Sequence, residues 1–200
     1  LQKLPVNDPF NIINPKAGLN GDIDANNRDY ASFSIAQKEP TRNNYTDGNA
    51  DEYPKAEKLL DYELGYTYRN TWLSAGANFY YMDYKDQLVL TGELNEIGEA
   101  MARNVPDSYR MGVELMLGVK PCQWFQWDIN GTLSKNRVKN FTEKLYEDEW
   151  KNPIEVSHGN TPIAFSPDLI LNNRFSFSYR GFEAALQSQS VSKQYMSNAR

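Results

Sequence analysis

From Lys58 the chain reads KLLDYELGYTYRN, with large apolar residues at every second position. Leu60, Tyr62, Leu64, Tyr66 and Tyr68 share one face of an extended strand, and Asp61, Glu63, Gly65, Thr67 and Arg69 share the other. A strand sorts residues this way because successive side chains point to opposite sides; a helix would scatter them around its circumference. The pattern recurs from Tyr109, where Met111, Val113, Leu115, Leu117 and Val119 oppose Arg110, Gly112, Glu114, Met116 and Gly118. It recurs from Phe125, with Trp127, Ile129 and Leu133 against Gln126, Asp128, Asn130 and Thr132. A fourth case sets Leu169, Leu171, Phe175, Phe177 and Tyr179 opposite Ile170, Asn172, Arg174, Ser176 and Ser178. Less regular strands are expected at Ile12–Leu19, Tyr30–Ala36, Trp72–Leu90 and Phe182–Val191. The pattern thus predicts an all-β chain of about eight strands, an antiparallel up-and-down meander, with no helix.

The connections sharpen this picture. Arg69-Asn70-Thr71, Lys120-Pro121-Cys122-Gln123 and Arg180-Gly181 carry the Asn, Pro and Gly of tight turns. Between them lie long polar stretches, Lys38–Glu57, Thr91–Asp107 and Lys139–Pro167, read here as loops. Short and long connections alternate, so the long ones leave one end of the sheet, as in outer-membrane barrels. Aromatics crowd the short turns: Tyr66, Tyr68 and Trp72 at the first, Trp124, Phe125 and Trp127 at the second, Phe177, Tyr179 and Phe182 at the third. A membrane barrel places such a girdle at the lipid–water boundary. A soluble β-sandwich shows the same alternation with its apolar face turned inward, so periodicity leaves both architectures open.

Composition narrows the classes. The chain has 200 residues, 40% hydrophobic and 13% aromatic, with 13 Tyr. That balance suits ordered structure, and no run reaches the roughly 18 apolar residues of a spanning helix. A net charge of −5 argues against a nucleic-acid partner, whose footprint is basic. One Cys (Cys122) excludes a disulfide framework, and one His (His158) excludes a His-rich metal centre. The Leu1-Gln2-Lys3-Leu4-Pro5 start has neither an initiator Met nor the apolar core of a signal peptide, which suggests a part of a longer polypeptide.

Several segments, in order, resemble the barrel of TonB-dependent outer-membrane receptors: Ile13–Leu19 (INPKAGL), Tyr30–Ala36 (YASFSIA), Lys38–Asn43 (KEPTRN), Lys58–Tyr66 (KLLDYELGY), Phe79–Val89 (FYYMDYKDQLV), Tyr109–Glu114 (YRMGVE) and Val191–Asn198 (VSKQYMSN). Met196-Ser197 departs from the family's usual Leu-Asp, in what reads as a variable loop region. The resemblance implies that residues 1–200 form part of a transmembrane barrel of about 22 strands. It also implies that the plug domain and the final, aromatic-ended strand lie outside this chain. By resemblance the whole receptor takes up a scarce nutrient (a ferric siderophore, haem or cobalamin), with the iron/siderophore branch the nearer. It sits in the outer membrane of a Gram-negative cell with long loops extracellular, and meets lipid, its ligand and the TonB complex, the last through the N-terminal plug region. No cofactor is implied.

Site residues follow less directly. Cys122 sits in a turn away from His158, so no nucleophile pair forms, no catalytic residue is assigned and the chain is not read as an enzyme. Asp61, Glu63, Arg110, Glu114, Lys120 and Asp128 lie on polar faces and suit a charged lumen contacting a plug, or the solvated face of a soluble sheet. Recognition residues tend to ride on loops held by a rigid scaffold. The candidates are therefore Arg42, Tyr45, Asp47 and Tyr53 in the first long connection, and Trp150, Lys151 and His158 in the third. An aromatic beside a basic residue can grip an anionic ferric chelate by stacking and charge. The nearby run Glu147-Asp148-Glu149 offers oxygens of the kind Ca²⁺ takes. The strand glycines Gly65, Gly76, Gly112, Gly118 and Gly131 are expected to relieve crowding or admit a bulge. The other class that remains is a soluble β-sandwich or small barrel binding a ligand or polysaccharide.

Overall fold

A computed structural model describes residues 11–46, 53–94, 98, 100–145 and 154–198. The strands are β1 (Lys16–Asp22), β2 (Asn27–Lys38), β3 (Glu57–Arg69), β4 (Leu73–Leu94), β5 (Ala100–Cys122), β6 (Phe125–Leu145), β7 (Ile154–Pro162), β8 (Leu169–Tyr179) and β9 (Phe182–Val191), with one short helix, α1 (Arg42–Thr46). They form one antiparallel sheet in the order β1-β2-β3-β4-β5-β6-β8-β9, with β7 also paired to β6.

The meander is as expected, and the details depart from expectation in instructive ways. The first strand begins later, at Lys16 rather than Ile12. The stretch 91–107 is mostly strand, because β4 and β5 continue as a paired ribbon through Leu94↔Ala100. The stretch 139–167 likewise contains the end of β6 and all of β7. The ninth strand is an interruption. β7 pairs the far half of β6 (Arg137↔Pro162), and β8 pairs the near half (Leu133↔Leu169). One strand lane beside β6 is therefore filled by two segments, with residues 163–168 leaving it between them.

The tight turns lie at one end. At the β8–β9 hairpin Arg180 (φ 46°) and Gly181 (φ 82°) both take positive φ, the two-residue geometry whose twist matches paired strands. Asn70 caps its turn by accepting from the Trp72 and Leu73 N–H groups at 3.0 and 2.7 Å. Asp24 does the same for Asn26 and Asn27, at 2.8 and 2.9 Å, and the Asn26 N–H foremost holds this exposed carboxyl below its usual range. The β5–β6 turn is Gln123-Trp124, beyond a bulge between Val119 and Cys122 rather than across Lys120–Gln123.

Register carries the alternation across strands. Phe33, Tyr62, Tyr81 and Met111 align on one face, as do Leu64, Phe79, Val113 and Leu133. The opposite face aligns Ser32, Glu63, Tyr80, Gly112 and Ser134. The apolar run covers Leu73–Tyr81 on β4, Tyr109–Val119 on β5 and Phe125–Leu133 on β6, before Asp83, Asp107 and Lys135. Those lengths match the roughly 9–11 residues that carry a tilted strand across a bilayer.

A small core lies on the polar face at the long-connection end. Val89, Val105, Val138 and Ile163 bury one another there, beneath the segment that leaves the β7–β8 lane. The stretch after β9 lies over it: the Phe165 N–H donates to the Tyr195 carbonyl at 2.8 Å. Asn198, at 0% exposure, accepts from the Ala164 N–H at 2.6 Å and donates to the Leu90 carbonyl at 2.7 Å. The Val191–Asn198 segment is therefore anchored at its end by a buried amide. Asn198→Ala strands both backbone partners, and the expected cost is about 1–3 kcal/mol, read as a lowered denaturant midpoint.

Candidate functional site

Of the candidate ligand residues, Arg42, Tyr45, Tyr53 and His158 lie among the described residues. Arg42 and Tyr45 stand on α1, which lies against β5. Tyr53 follows in the same connection and is exposed. Asn104 of β5 fixes that connection: its Oδ1 accepts from the Lys55 N–H at 2.8 Å, and its Nδ2 donates to the Lys55 carbonyl at 3.1 Å. The Leu88 N–H donates to Glu57 Oε2 at 3.0 Å. The connection is thus tethered to β4 and β5 by its own polar groups, and Arg42, Tyr45 and Tyr53 all belong to it.

His158 belongs elsewhere, on β7 beyond β6. Its Nε2 lies 2.9 Å from Glu143 Oε2, and its ring lies 6.1 Å from Phe141, which packs on the buried valine cluster. This engagement ties the β6–β7 hairpin together. Asp47, Trp150, Lys151 and the run Glu147-Asp148-Glu149 lie outside the described residues. Among the described residues no group of three or more His, Cys, Asp or Glu side chains could hold a metal ion.

The polar face forms a continuous wall. Asp128 sits opposite Arg174 and accepts from Gln126 at 2.9 Å. Glu114 accepts from Asn78 at 3.4 Å, and Arg110 donates to Ser166 at 3.0 Å. A recess of about 550 Å³ lies along Asp128, Asn130, Asn172, Arg174, Gln187 and Gln189. Two glycines shape the same wall. Gly65 pairs with Tyr30 and Gly112 with Tyr80, and in each case the tyrosine occupies the space a Cβ would need. The rings lie flat against the sheet instead of standing into the space beside it.

Aromatics mark both edges of the apolar face. At the short-turn end Phe125 meets Trp124 and Phe177 at 6.2 and 5.1 Å, and Trp127 stacks on Phe175 at 5.8 Å. At the other edge a row links Phe33, Tyr62, Tyr81 and Tyr109 at 4.9, 6.5 and 6.3 Å, with the Lys139 ammonium 5.6 Å from the Tyr109 ring centre. The second row escapes a reading of single strands because only the register aligns it. Its partial signal was that Tyr81 and Tyr109 stand at the ends of their apolar runs, next to Asp83 and Asp107.

The TonB dependent receptor-like β-barrel family matches residues 4–200. No curated protein sequence matches the chain. Among solved structures, the copper transporter OprC superposes with a TM-score of 0.67 at 16% identity, over 87% of this chain and 25% of that one. The ferric yersiniabactin uptake receptor FyuA from Yersinia pestis gives 0.56 at 20%, over 87% and 24%. A variant of the ferric enterobactin receptor PfeA from Pseudomonas aeruginosa, in complex with enterobactin, gives 0.62 at 16%, over 94% and 30%. At these identities the likeness is one of fold, and the chain spans between about a quarter and a third of those proteins.

Proposed function

Since the chain belongs to the TonB-dependent receptor β-barrel family, we propose that it is one sector of the wall of a receptor importing a scarce, large nutrient, with a ferric siderophore first among the candidates. The receptor and transporter character is that of the family; the nutrient, the TonB coupling and the orientation are this proposal's own. The family match over 4–200 carries it. Siderophore receptors recur among the similar folds, and that favours a ferric chelate over haem or cobalamin.

The sheet itself supports a larger barrel. Its outermost strands, β1 and β9, are not paired to each other among the described residues. In a bilayer an open edge leaves backbone groups unsatisfied, at several kcal/mol each. Further strands on both sides meet that demand, so residues 1–200 act as a barrel sector together with a plug domain and a closing strand. The apolar face then meets lipid, and the polar wall with Asp61, Glu63, Arg110, Glu114 and Asp128 meets the plug. The long connections face outward, where Arg42, Tyr45 and Tyr53 greet the ligand, with Asp47, Trp150, Lys151 and His158 as further contacts. TonB acts through the plug, and this sector supplies walls and contacts rather than a chemical step.

The test is uptake and binding by the whole receptor. Arg42→Ala removes a charge-assisted contact worth about 1.5–3 kcal/mol, which is roughly 10- to 100-fold in Kd for an anionic ferric chelate. Titration of the receptor in detergent checks this, with Tyr45→Ala and Tyr53→Ala alongside. Unchanged affinity in all three variants removes this connection from the ligand site. Failure of cells to lose iron uptake when the receptor is deleted overturns the nutrient assignment.

A further inference from the structure

We propose that Phe165 is a contact platform for the imported ligand, offering the face of its ring to a planar conjugated group. The inference rests on the reading above that the long connections face outward and the polar wall lines the lumen. Phe165 belongs to the segment 163–168 that leaves the strand lane between β7 and β8. That segment stands on the lumen side. Ile163 is buried in the valine cluster of the polar face, and the Ser166 hydroxyl accepts from Arg110 of the polar wall at 3.0 Å. The exposed aromatics Phe79, Tyr81 and Phe177 lie on the opposite, apolar face, where lipid covers them. Phe165 is 47% exposed on the polar side, directly after two buried residues, Ile163 and Ala164.

Its backbone is as unusual as its exposure. Phe165 has φ 54°, in the left-handed region that a bulky side chain rarely occupies. Such a conformation persists only where the surroundings fix it. Here the Ile163 N–H donates to the Asn136 carbonyl at 3.2 Å, the Ala164 N–H to Asn198 Oδ1 at 2.6 Å and the Phe165 N–H to the Tyr195 carbonyl at 2.8 Å. Beyond the bend the Ser134 hydroxyl donates to the Pro167 carbonyl at 2.9 Å, and the Ser134 N–H donates to the Asp168 carbonyl at 2.8 Å. Glycine or asparagine would adopt the same backbone at less cost, so the bend itself gives no reason for a phenylalanine. A ring held into the open lumen on a pinned bend loses little freedom when a ligand covers it. It offers no hydrogen bond, and its face prefers another flat π system. The surface next to it is cationic, with the Lys193 ammonium 5.7 Å from the Tyr195 ring centre. Ferric catecholates and haem share the matching chemistry, a flat conjugated ring with anionic oxygens; aliphatic ferric hydroxamates lack the ring.

The experiment titrates the whole receptor in detergent with three probes: a ferric tris-catecholate, haem and an aliphatic ferric tris-hydroxamate. The wild type is expected to bind one of the two conjugated probes, and the one it binds identifies the source of the ring. Phe165→Leu is expected to weaken that binding about tenfold, and Phe165→Tyr to keep it within about twofold. Phe165→Gly relieves the backbone, so it is expected to assemble in the outer membrane as the wild type does and still to lose the ligand. Unchanged affinity in Phe165→Leu or Phe165→Gly overturns the platform. So does loss of assembly in Phe165→Gly, which makes the ring a packing group. A wild type that binds only the hydroxamate also overturns it, and leaves the receptor reading intact. Binding of none of the three overturns the nutrient assignment beneath the platform, and the platform with it.

Discussion

Leu115→Arg is expected to block assembly of the receptor in the membrane, whereas Met116→Arg, one residue further along, assembles. Leu115 lies near the middle of the apolar run of β5 between Tyr109 and Val119, on the face shared with Phe79 and Leu133. A charge at the bilayer midplane of a barrel costs about 2–4 kcal/mol, and the cost fades toward the interfaces. Native stability is itself only of order 5–15 kcal/mol, so that loss is a large share. Met116 points to the other face and contacts the Gly76 region of the polar wall, where an arginine stays hydrated. The measurement is the heat-dependent gel mobility of folded barrel from outer-membrane fractions. Equal loss in both variants would contradict the two-faced sheet; a loss confined to Met116→Arg would reverse its faces.

The second large effect is at Gly112. A Cβ built there stands 2.5 Å from the Leu133 carbonyl oxygen and 2.6 Å from the Tyr80 hydroxyl. A tyrosine can swing away, but a backbone carbonyl within a paired ladder cannot move without disturbing its strand. Gly112→Ala therefore overpacks the wall at a cost of about 1–3 kcal/mol, and Gly112→Val costs more. Gly65 provides the control, since the nearest atoms to a Cβ there all belong to the Tyr30 ring. Adding Tyr30→Ala to Gly65→Ala is expected to restore stability to that of Tyr30→Ala alone. Adding Tyr80→Ala to Gly112→Ala restores only part, because Leu133 remains. Denaturant midpoints of the four single and two double variants decide it, and full rescue at both sites would remove the role given to the carbonyl.

Much of the sheet was legible in the chain for a physical reason. Wherever one face is apolar, as in Lys58–Arg69 or Tyr109–Val119, the period of two is imposed by the solvent on each side. The ribbon over residues 91–107 has no such face, so its backbone pairing leaves no trace in hydropathy, and a polar strand reads as a polar loop. The departure at residues 163–168 was hidden for a related cause. Ile163 is buried against Val89, Val105 and Val138, and Ala164 beside it is buried too, yet the three apolar residues Ile163-Ala164-Phe165 before a Ser-Pro make no periodic pattern. The five residues of α1 are too few to show one.

The candidate site was less legible, because its content depends on register. Tyr30 with Gly65, and Tyr80 with Gly112, are pairs across strands, separated in sequence by an intervening turn or loop. The expectation that strand glycines relieve crowding was correct in kind, but the partner of each could not be named from one strand. His158 stood out as the only histidine, while its engagement with Glu143 and Phe141 depends on a hairpin the polar pattern concealed.

The paired ribbon of β4 and β5 also has a reach. Thirteen residues separate Tyr81, at the edge of the apolar run, from Leu94, and at roughly 3.4 Å each they extend about 44 Å along the strand. On the outward orientation proposed above, this arm clears the lipid heads and stands among the sugars of the cell envelope. It becomes the first part of the sector that an antibody, a phage or a protease meets. A peptide tag inserted at Gly98 would then be visible on intact cells, long before anything reaches the wall behind it.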